Sequence, residues 1–132
     1  MVKVPESHCD LLKDETRALV YLATVMEDGS PQVTPVWFNF DGDDILINSA
    51  QGRVKDRNMR RRPQVALAIS DPQDPYRYLQ IRGRVIEITT QGGKAHIDTL
   101  AKKYTGAAHF TPGSPDEVRV IYRIRPEKVS AK

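Results

Sequence analysis

The chain has 132 residues, of which 39% are hydrophobic and 28% are charged, and its net charge is only +3. This length predicts one domain, residues 1–132, and this composition excludes an intrinsically disordered chain. No apolar run approaches the roughly 18 residues of a membrane-spanning helix, and the N-terminal residues lack an apolar signal core, so we expect neither a membrane anchor nor a signal peptide. Cys9 is the only cysteine, which excludes an internal disulfide and is typical of the reducing cytoplasm.

The first forty residues predict a short helix followed by a β-hairpin. Residues 5–16 have the pattern of a short amphipathic helix. Two apolar-rich runs follow, residues 18–26 and 32–40, and the Asp28-Gly29 pair between them is a strong hairpin signal. In the second run Val36, Phe38 and Phe40 alternate with more polar residues and are expected to face the core. Pro35 has no N–H to donate, which indicates an edge strand, a bulge or a backbone left open to a ligand.

A third strand over residues 45–49 leads into the most basic part of the chain. Residues 53–62 carry six basic side chains and one acidic one, a net charge of +5. A strand that ends in small and hydroxylated residues and opens a basic helix is suited to bind an anion, because free backbone N–H groups add to the side-chain charges. The segment is therefore predicted to hold the phosphate of a cofactor. A solvated helix face and a nucleic-acid-binding surface are the alternatives that charge alone leaves open.

The second half of the chain predicts three more strands and one longer helix. The strands cover residues 65–69, 78–89 and 118–125, and in the last of them Val118, Val120, Tyr122 and Ile124 are expected to point inward. The alternation in the long strand slips by one position at Val85-Ile86, which predicts a β-bulge. Residues 97–104 have helical spacing. Six strands joined mainly by antiparallel turns predict a small β-barrel rather than a doubly wound sheet.

Several kinds of catalytic site are absent from the sequence. The three histidines are scattered and match no metal-binding spacing, so no metal site is predicted. There is no G-x-S-x-G motif, no cysteine–histidine signature and no glycine-rich nucleotide loop. No set of general acids and bases can be identified. This pattern is typical of a protein whose chemistry belongs to a bound redox cofactor, which the chain holds and orients.

Two motifs carry a resemblance to a known family. They are L-A-T-x-x-x-D-G-x-P-x-x-x-P-V-W-F, which begins at Leu22, and K-x-R-N-x-x-R-x-P, which begins at Lys55. With the sequence around them, they resemble the split-barrel flavin-binding family of pyridoxamine 5′-phosphate oxidase-like proteins, and especially its branch that uses the deazaflavin coenzyme F420. The resemblance covers about residues 15–130. It implies a mainly β fold, a six-stranded antiparallel split β-barrel with two or three short helices (the FMN-binding split barrel).

The resemblance also implies a homodimer with the cofactor in a groove between the subunits, and it assigns residues to that groove. The flavin ring would be bordered by Thr34, Pro35, Val36 and Trp37. Its polar edge would contact the backbone and hydroxyl groups of Asn48, Ser49 and Ala50. Its phosphate would be bound by Arg53, Lys55 and Asn58, with Arg57 as an additional candidate. The partner subunit would contribute Tyr76, Arg77 and Tyr78.

The function implied is that of an F420-dependent oxidoreductase that transfers a hydride from the reduced deazaflavin to a conjugated or quinone-like small molecule. The alternatives are an FMN-binding oxidoreductase of the same family and a non-catalytic carrier of flavin or F420. The sequence shows neither the paired arginines nor the histidine–arginine pair that the resemblance would require for oxidation of a vitamin B6 phosphate. A nucleic-acid-binding module is not favoured, because the chain lacks an exposed aromatic series for base stacking.

Overall fold

Antiparallel strands are the main secondary structure of the protein, and the computed structural model describes residues 2–132. The strands are β1 (Val20–Val25), β2 (Pro31–Val36), β3 (Phe38–Asp41), β4 (Asp44–Ala50), β5 (Gln64–Asp71), β6 (Asp74–Thr89) and β7 (Arg119–Ala131). The helices are α1 (Val54–Arg61), α2 (Gly93–Thr105) and two short 3-10 helices over Glu6–Leu12 and Asp14–Thr16. The predicted helix over residues 5–16 is therefore present as two 3-10 helices that Lys13 separates.

The seven strands form one antiparallel sheet in the order β2-β1-β5-β6-β7-β4-β3. Its two edge strands, β2 and β3, follow one another in the chain with only Trp37 between them. The sheet must therefore curl until its edges are one residue apart, and this makes it a split barrel. The fold class is confirmed, but there are seven strands rather than six. The predicted strand over residues 32–40 divides at Trp37, because its first half pairs with β1 and its second half with β4.

The hydrophobic core fills the barrel interior. Phe38, Ile47 and Tyr122 are fully buried there, and Leu11 of the first 3-10 helix belongs to the same cluster. Val36 and Phe40, predicted to face the core, pack against it as expected, and Phe38 does so too.

One predicted inward position in the last strand is wrong. Val118 lies just before β7 and is 44% exposed, whereas Val120, Tyr122 and Ile124 are fully buried. The strand begins at Arg119, so the alternation does not extend back to Val118.

The predicted bulge in the long strand is confirmed. The register between β6 and β7 shifts between Val85 and Glu87, and Ile86 has no partner in the ladder and is exposed. A bulge bends a strand and increases its twist. On its two sides β6 pairs with β5 from Asp74 to Arg84 and with β7 from Leu79 to Thr89.

Helix α2 packs on the outer face of β4 and β7. It buries Ile97 and Leu100, and β4 is consequently buried along its whole length, with the core on one face and the helix on the other. The helix begins at Gly93, where a Cβ atom would lie only 2.2 Å from the backbone oxygen of Arg119. Only glycine allows so close an approach between α2 and β7.

The Gly93→Ala variant tests this contact. The added methyl group would force the start of α2 away from β7, and we expect the free energy of unfolding to fall by about 1–3 kcal/mol. Urea denaturation measures the loss. Gly113→Ala is the matched control, because a Cβ at Gly113 would make only an ordinary contact of 3.4 Å with Glu117. Equal stability of the two variants would contradict the prediction.

Candidate functional site

The barrel is open along one part of β4. Pairing with β3 ends at Ile47, whereas pairing with β7 continues to Ala50. Asn48 and Ser49 therefore have no strand neighbour on the side of β3. Trp37 and the end of β2 lie across this opening, since they directly precede β3. Backbone groups that a sheet leaves unpaired at such a position are available to a ligand.

A groove of about 210 Å³ occupies the opening. Seven of the predicted site residues line it: Pro35, Val36, Trp37, Asn48, Ser49, Arg53 and Lys55. Three residues that the sequence did not indicate complete the lining: Ile97, Phe110 and Arg119. The structure thus brings together the end of β2, the end of β4, the start of α1 and the loop that follows α2.

Three cations face the groove with one acid nearby. Arg53 is exposed and lies 4.0 Å from Glu117, and Arg119 donates to the same carboxylate at 2.7 Å. Lys55 makes no ion pair with any residue in the range 2–132. Burial, followed by the positive charges of Arg53 and Arg119, lowers the pKa of the Lys55 ammonium. A group in this environment gains from an anion beside it, so the groove suits a phosphate or carboxylate.

The wall of the groove also carries an unused hydrogen-bonding group. The Ser49 hydroxyl is buried and finds no hydrogen-bond partner among the described residues. An unpaired buried hydroxyl is costly and requires an explanation. A polar ligand atom in the groove would supply the missing partner. The residues present therefore fit a phosphate-bearing cofactor with a polar ring edge, such as a flavin or a deazaflavin.

The Asn48 side chain is fixed by three neighbours. Its amide nitrogen donates to the Gly93 carbonyl and to His96 Nδ1, both at 3.0 Å, and its oxygen accepts from Arg119 Nε at 2.9 Å. His96 Nε2 in turn donates to Asn39 Oδ1 at 2.7 Å. Burial, with the charge of Arg119, lowers the pKa of His96 to about 4, so the ring is neutral at neutral pH. The nitrogen and the oxygen of the Asn48 side chain are both engaged within the protein, so only the Asn48 backbone is open to a ligand.

Trp37 forms a rigid aromatic wall. Its ring stacks on Tyr104 with centroids 5.3 Å apart, and Phe110 meets it edge-on at 6.1 Å. The Tyr104 hydroxyl donates to the Ala18 carbonyl at 2.6 Å, and Lys103 donates to the Phe38 carbonyl at 2.6 Å. The C-terminal part of α2 thus holds the crossing between β2 and β3. An apolar, planar surface of this kind suits a flat ring.

A buried carboxylate shapes the turn between β4 and α1. Asp56 is only 2% exposed and accepts from the Gly52 backbone N–H at 2.9 Å, from Arg60 Nε at 3.0 Å and from the Tyr122 hydroxyl. Burial alone raises the pKa of the Asp56 carboxyl, but these three bonds outweigh it and hold the pKa below its ordinary value. Through Asp56 the turn that carries Arg53 is attached to the barrel core.

Four other predicted residues lie near the groove without lining it. Ala50 is buried and pairs with Arg119 at the end of β4. Thr34 faces the barrel interior, where its buried hydroxyl has no partner among residues 2–132. Arg57 donates to the Gly52 carbonyl at 3.1 Å. Asn58 is buried and donates to Thr24 at 3.0 Å. Asn58 and Arg57 line a separate cleft on the other side of α1, and their contact with phosphate stays a prediction.

The three residues predicted to act from a partner subunit lie at the start of β6, and none of them lines the groove. Tyr76 is 85% exposed. Arg77 donates to Asp10 of the first 3-10 helix at 2.6 Å and to Asp71 at the end of β5 at 3.0 Å. Tyr78 pairs through its backbone with Lys132. No partner chain is present, so their role in cofactor binding stays a prediction.

The residues that the sequence analysis missed share one property. Ile97, Phe110 and Arg119 reach the groove only because α2 and β7 pack against β4, and nothing local in the sequence encodes that contact. The only local signal is Phe110, a lone aromatic residue in a loop rich in proline and glycine.

Within residues 2–132 no helix is long and apolar enough to cross a membrane. The same residues contain no group of three or more histidine, cysteine or acidic side chains placed to hold a metal ion.

The fold and the groove define a split-barrel protein whose groove is lined by cations and by an aromatic wall. Consistent with this class, the family described as pyridoxamine 5′-phosphate oxidase matches residues 8–132. The chain belongs to this pyridoxamine 5′-phosphate oxidase-like family. The family includes oxidoreductases and proteins that bind flavins.

Solved structures of other proteins are similar to this chain. A protein named F420 reductase is 38% identical over 96% of this chain and 98% of its own, with a TM-score of 0.84. A putative pyridoxamine 5′-phosphate oxidase from Listeria innocua is 20% identical over 96% and 95% of the two chains, with a TM-score of 0.70. A putative 5-nitroimidazole antibiotic resistance protein from Bacteroides thetaiotaomicron is 16% identical over 98% and 84%, with a TM-score of 0.66. The last two show the fold alone.

The Asp56→Asn variant tests the role of the buried carboxylate. Because the folded-state pKa lies below the ordinary value of about 4, the Asp56 bonds contribute stability above that pH and lose it as the pH falls further. We expect the variant to be less stable than the wild type by about 1–3 kcal/mol at neutral pH, and the gap to narrow in acid. Urea denaturation from neutral pH to about pH 3 measures it. Asp43→Asn, at an exposed turn position, is the control. A gap that is independent of pH would contradict this role.

Proposed function

We propose that the protein is an F420-dependent oxidoreductase that transfers a hydride from the reduced deazaflavin to a conjugated or quinone-like small molecule. The observation that carries the proposal is the groove itself, which is lined by the cations Arg53, Lys55 and Arg119 and by the aromatic side chains of Trp37 and Phe110. The relative named F420 reductase, at 38% identity, supports the choice of cofactor.

Each part of the groove has a task in this proposal. Arg53 and Lys55 bind the phosphate, the first as a planar fork of donors and the second as a point charge. Pro35 and Trp37 support the ring, and the open backbone of Asn48 and Ser49 meets its polar edge. A reduced deazaflavin bound there would supply the hydride, which the acceptor takes up together with a proton.

The proton is assigned to solvent. Burial raises the pKa of Tyr104 to about 12, so its hydroxyl is protonated, but it already donates to the Ala18 carbonyl. The neutral His96 ring is hydrogen-bonded at both nitrogens. Neither Tyr104 nor His96 is therefore free to act as an acid, and the proposal assigns Lys55 to the phosphate. The chain contributes by holding donor and acceptor close together.

An FMN-dependent oxidoreductase is the second candidate, and the family match favours it because the family binds flavins. The groove cations would bind the phosphate of FMN equally well. A non-catalytic carrier is the third candidate. Turnover separates it from both enzymes, since a carrier binds reduced cofactor without passing electrons to any acceptor.

A homodimer is part of the proposal, and the outer face of the β1–β2 hairpin is the surface that we assign to it. Tyr21 and Val33 are 44% and 62% exposed there. Pro35, the register partner of Tyr21, is exposed as well. Exposed apolar side chains that cluster on one sheet face indicate an interaction site. Because Pro35 also lines the groove, this interface would bring a second subunit to the edge of the cofactor site.

Titration of the purified protein with F420 and with FMN, followed by fluorescence, tests the cofactor assignment. We expect F420 to bind more tightly. Lys55→Ala should weaken its binding by about 1–3 kcal/mol, because a charged hydrogen bond to the phosphate is lost. Arg61→Ala removes the same charge from α1 outside the groove and should have little effect. Preference for FMN would favour the second candidate, and binding of neither would contradict the cofactor assignment.

Sedimentation equilibrium tests the dimer. The chain of 14.9 kDa should sediment at about twice its mass. Val33→Arg should weaken the dimer by more than about tenfold, because the interface would bury an unpaired charge. Ile86→Arg changes an exposed apolar residue at the β6 bulge and should leave the dimer intact. A monomeric wild type, or equal effects of the two variants, would exclude this interface.

A further inference from the structure

A second cavity lies on the far side of Phe110 from the groove. It has a volume of about 160 Å³, and it shares three lining residues with the groove: Ile97, Phe110 and Arg119. We propose that this cavity, the side cavity, receives the apolar, ring-sized part of the hydride acceptor, while the reacting part of the acceptor lies in the groove. This proposal rests on the proposed function. Phe110, at the boundary of the two spaces, would then determine which acceptors fit.

The lining of this side cavity indicates an uncharged ligand. Its walls include Phe110, Pro112 and Pro115, which offer only apolar surface. Its charged residues neutralise one another. Lys94 pairs with Asp98 at 3.4 Å, and Arg119 pairs with Glu117 at 2.7 Å. A charged ligand group would have to compete with these pairs, whereas an apolar ring gains from the apolar walls alone.

The side cavity is held open by hydrogen bonds of the loop over residues 106–118. The Phe110 backbone N–H donates to Asp98 Oδ1 at 2.8 Å, and the Gly113 N–H donates to Glu117 Oε2 at 3.3 Å. Glu117 is itself fixed by Arg119. A cavity that exists before the ligand arrives costs less ordering on binding.

The small size of the side cavity indicates that it holds only part of a ligand. Small-molecule pockets usually measure about 300–1,000 Å³, and neither the groove nor the side cavity reaches that range alone. At about 160 Å³ the side cavity can therefore hold one apolar end of the acceptor, whose reacting end lies outside it, past Phe110 and against the cofactor.

Two-dimensional NMR of the cofactor-free protein with 2-naphthol as a probe tests the side cavity independently of any cofactor. We expect saturable shifts of the Phe110 and Gly113 amide signals. Ser114 lines the side cavity but not the groove, so Ser114→Trp should fill the cavity and weaken probe binding by about tenfold or more. Ala108→Trp, exposed in the same loop and lining neither space, is the matched control. Shifts that persist in Ser114→Trp, or that arise elsewhere, would overturn the proposal.

Kinetics with reduced cofactor then tests the link to the acceptor. Ser114→Trp should raise the KM for 2-methyl-1,4-naphthoquinone by about tenfold and leave the KM for the smaller p-benzoquinone unchanged. Its cofactor affinity should stay within about twofold of the wild type, since the groove is intact. Equal changes for both quinones would overturn the proposal. If the proposed function itself is wrong, the wild type will not bind the cofactor, and this outcome is distinct from equal changes for both quinones.

Discussion

The rest of the structure depends on the single-residue link at Trp37. Because β2 and β3 are the two edges of the sheet and are joined by one residue, the sheet cannot stay open. It cannot close by hydrogen bonds either, because each of the two strands pairs only with its inner neighbour. The barrel is therefore closed covalently and split in its hydrogen bonding. The stacking of Trp37 on Tyr104 holds the crossing in place from outside.

The candidate site is a direct consequence of that split. β3 is too short to cover β4, so the last residues of β4 have open backbone on one side. The turn that follows is not free to move, because the buried Asp56 carboxylate binds the Gly52 N–H and the Tyr122 hydroxyl together. The cations of the turn and the open strand are thus placed by the same barrel core. Such rigid support is what a binding site for a cofactor requires.

Local features of the sequence were sufficient to predict the strands, the bulge at Val85-Ile86 and the basic segment. The division at Trp37 was not predictable, because both halves continue the same alternation and only pairing with different partners separates them. Arg119 and Phe110 were missed for a related reason, since they reach the groove through contacts between β4, β7 and α2. The position of Asn58 in a basic motif indicated a phosphate ligand. Its amide donates to Thr24 within the protein, and its contact with phosphate stays a prediction.

In the basic segment, residues 53–62, side chains of the same charge have different roles in the folded protein. Arg60 pairs with Asp56, and Arg62 donates to the Val25 carbonyl and to Asn58. These cations make contacts within the protein, although the sequence alone does not distinguish them from Arg53 and Lys55. Those last two line the groove together with Arg119 from β7, which is itself bonded to Asn48 and Glu117. A nucleic acid would need an extended row of free cations, whereas three cations around one small groove suit a single phosphate. The arrangement therefore favours a small anionic cofactor over a polyanion, a distinction that net charge alone could not make.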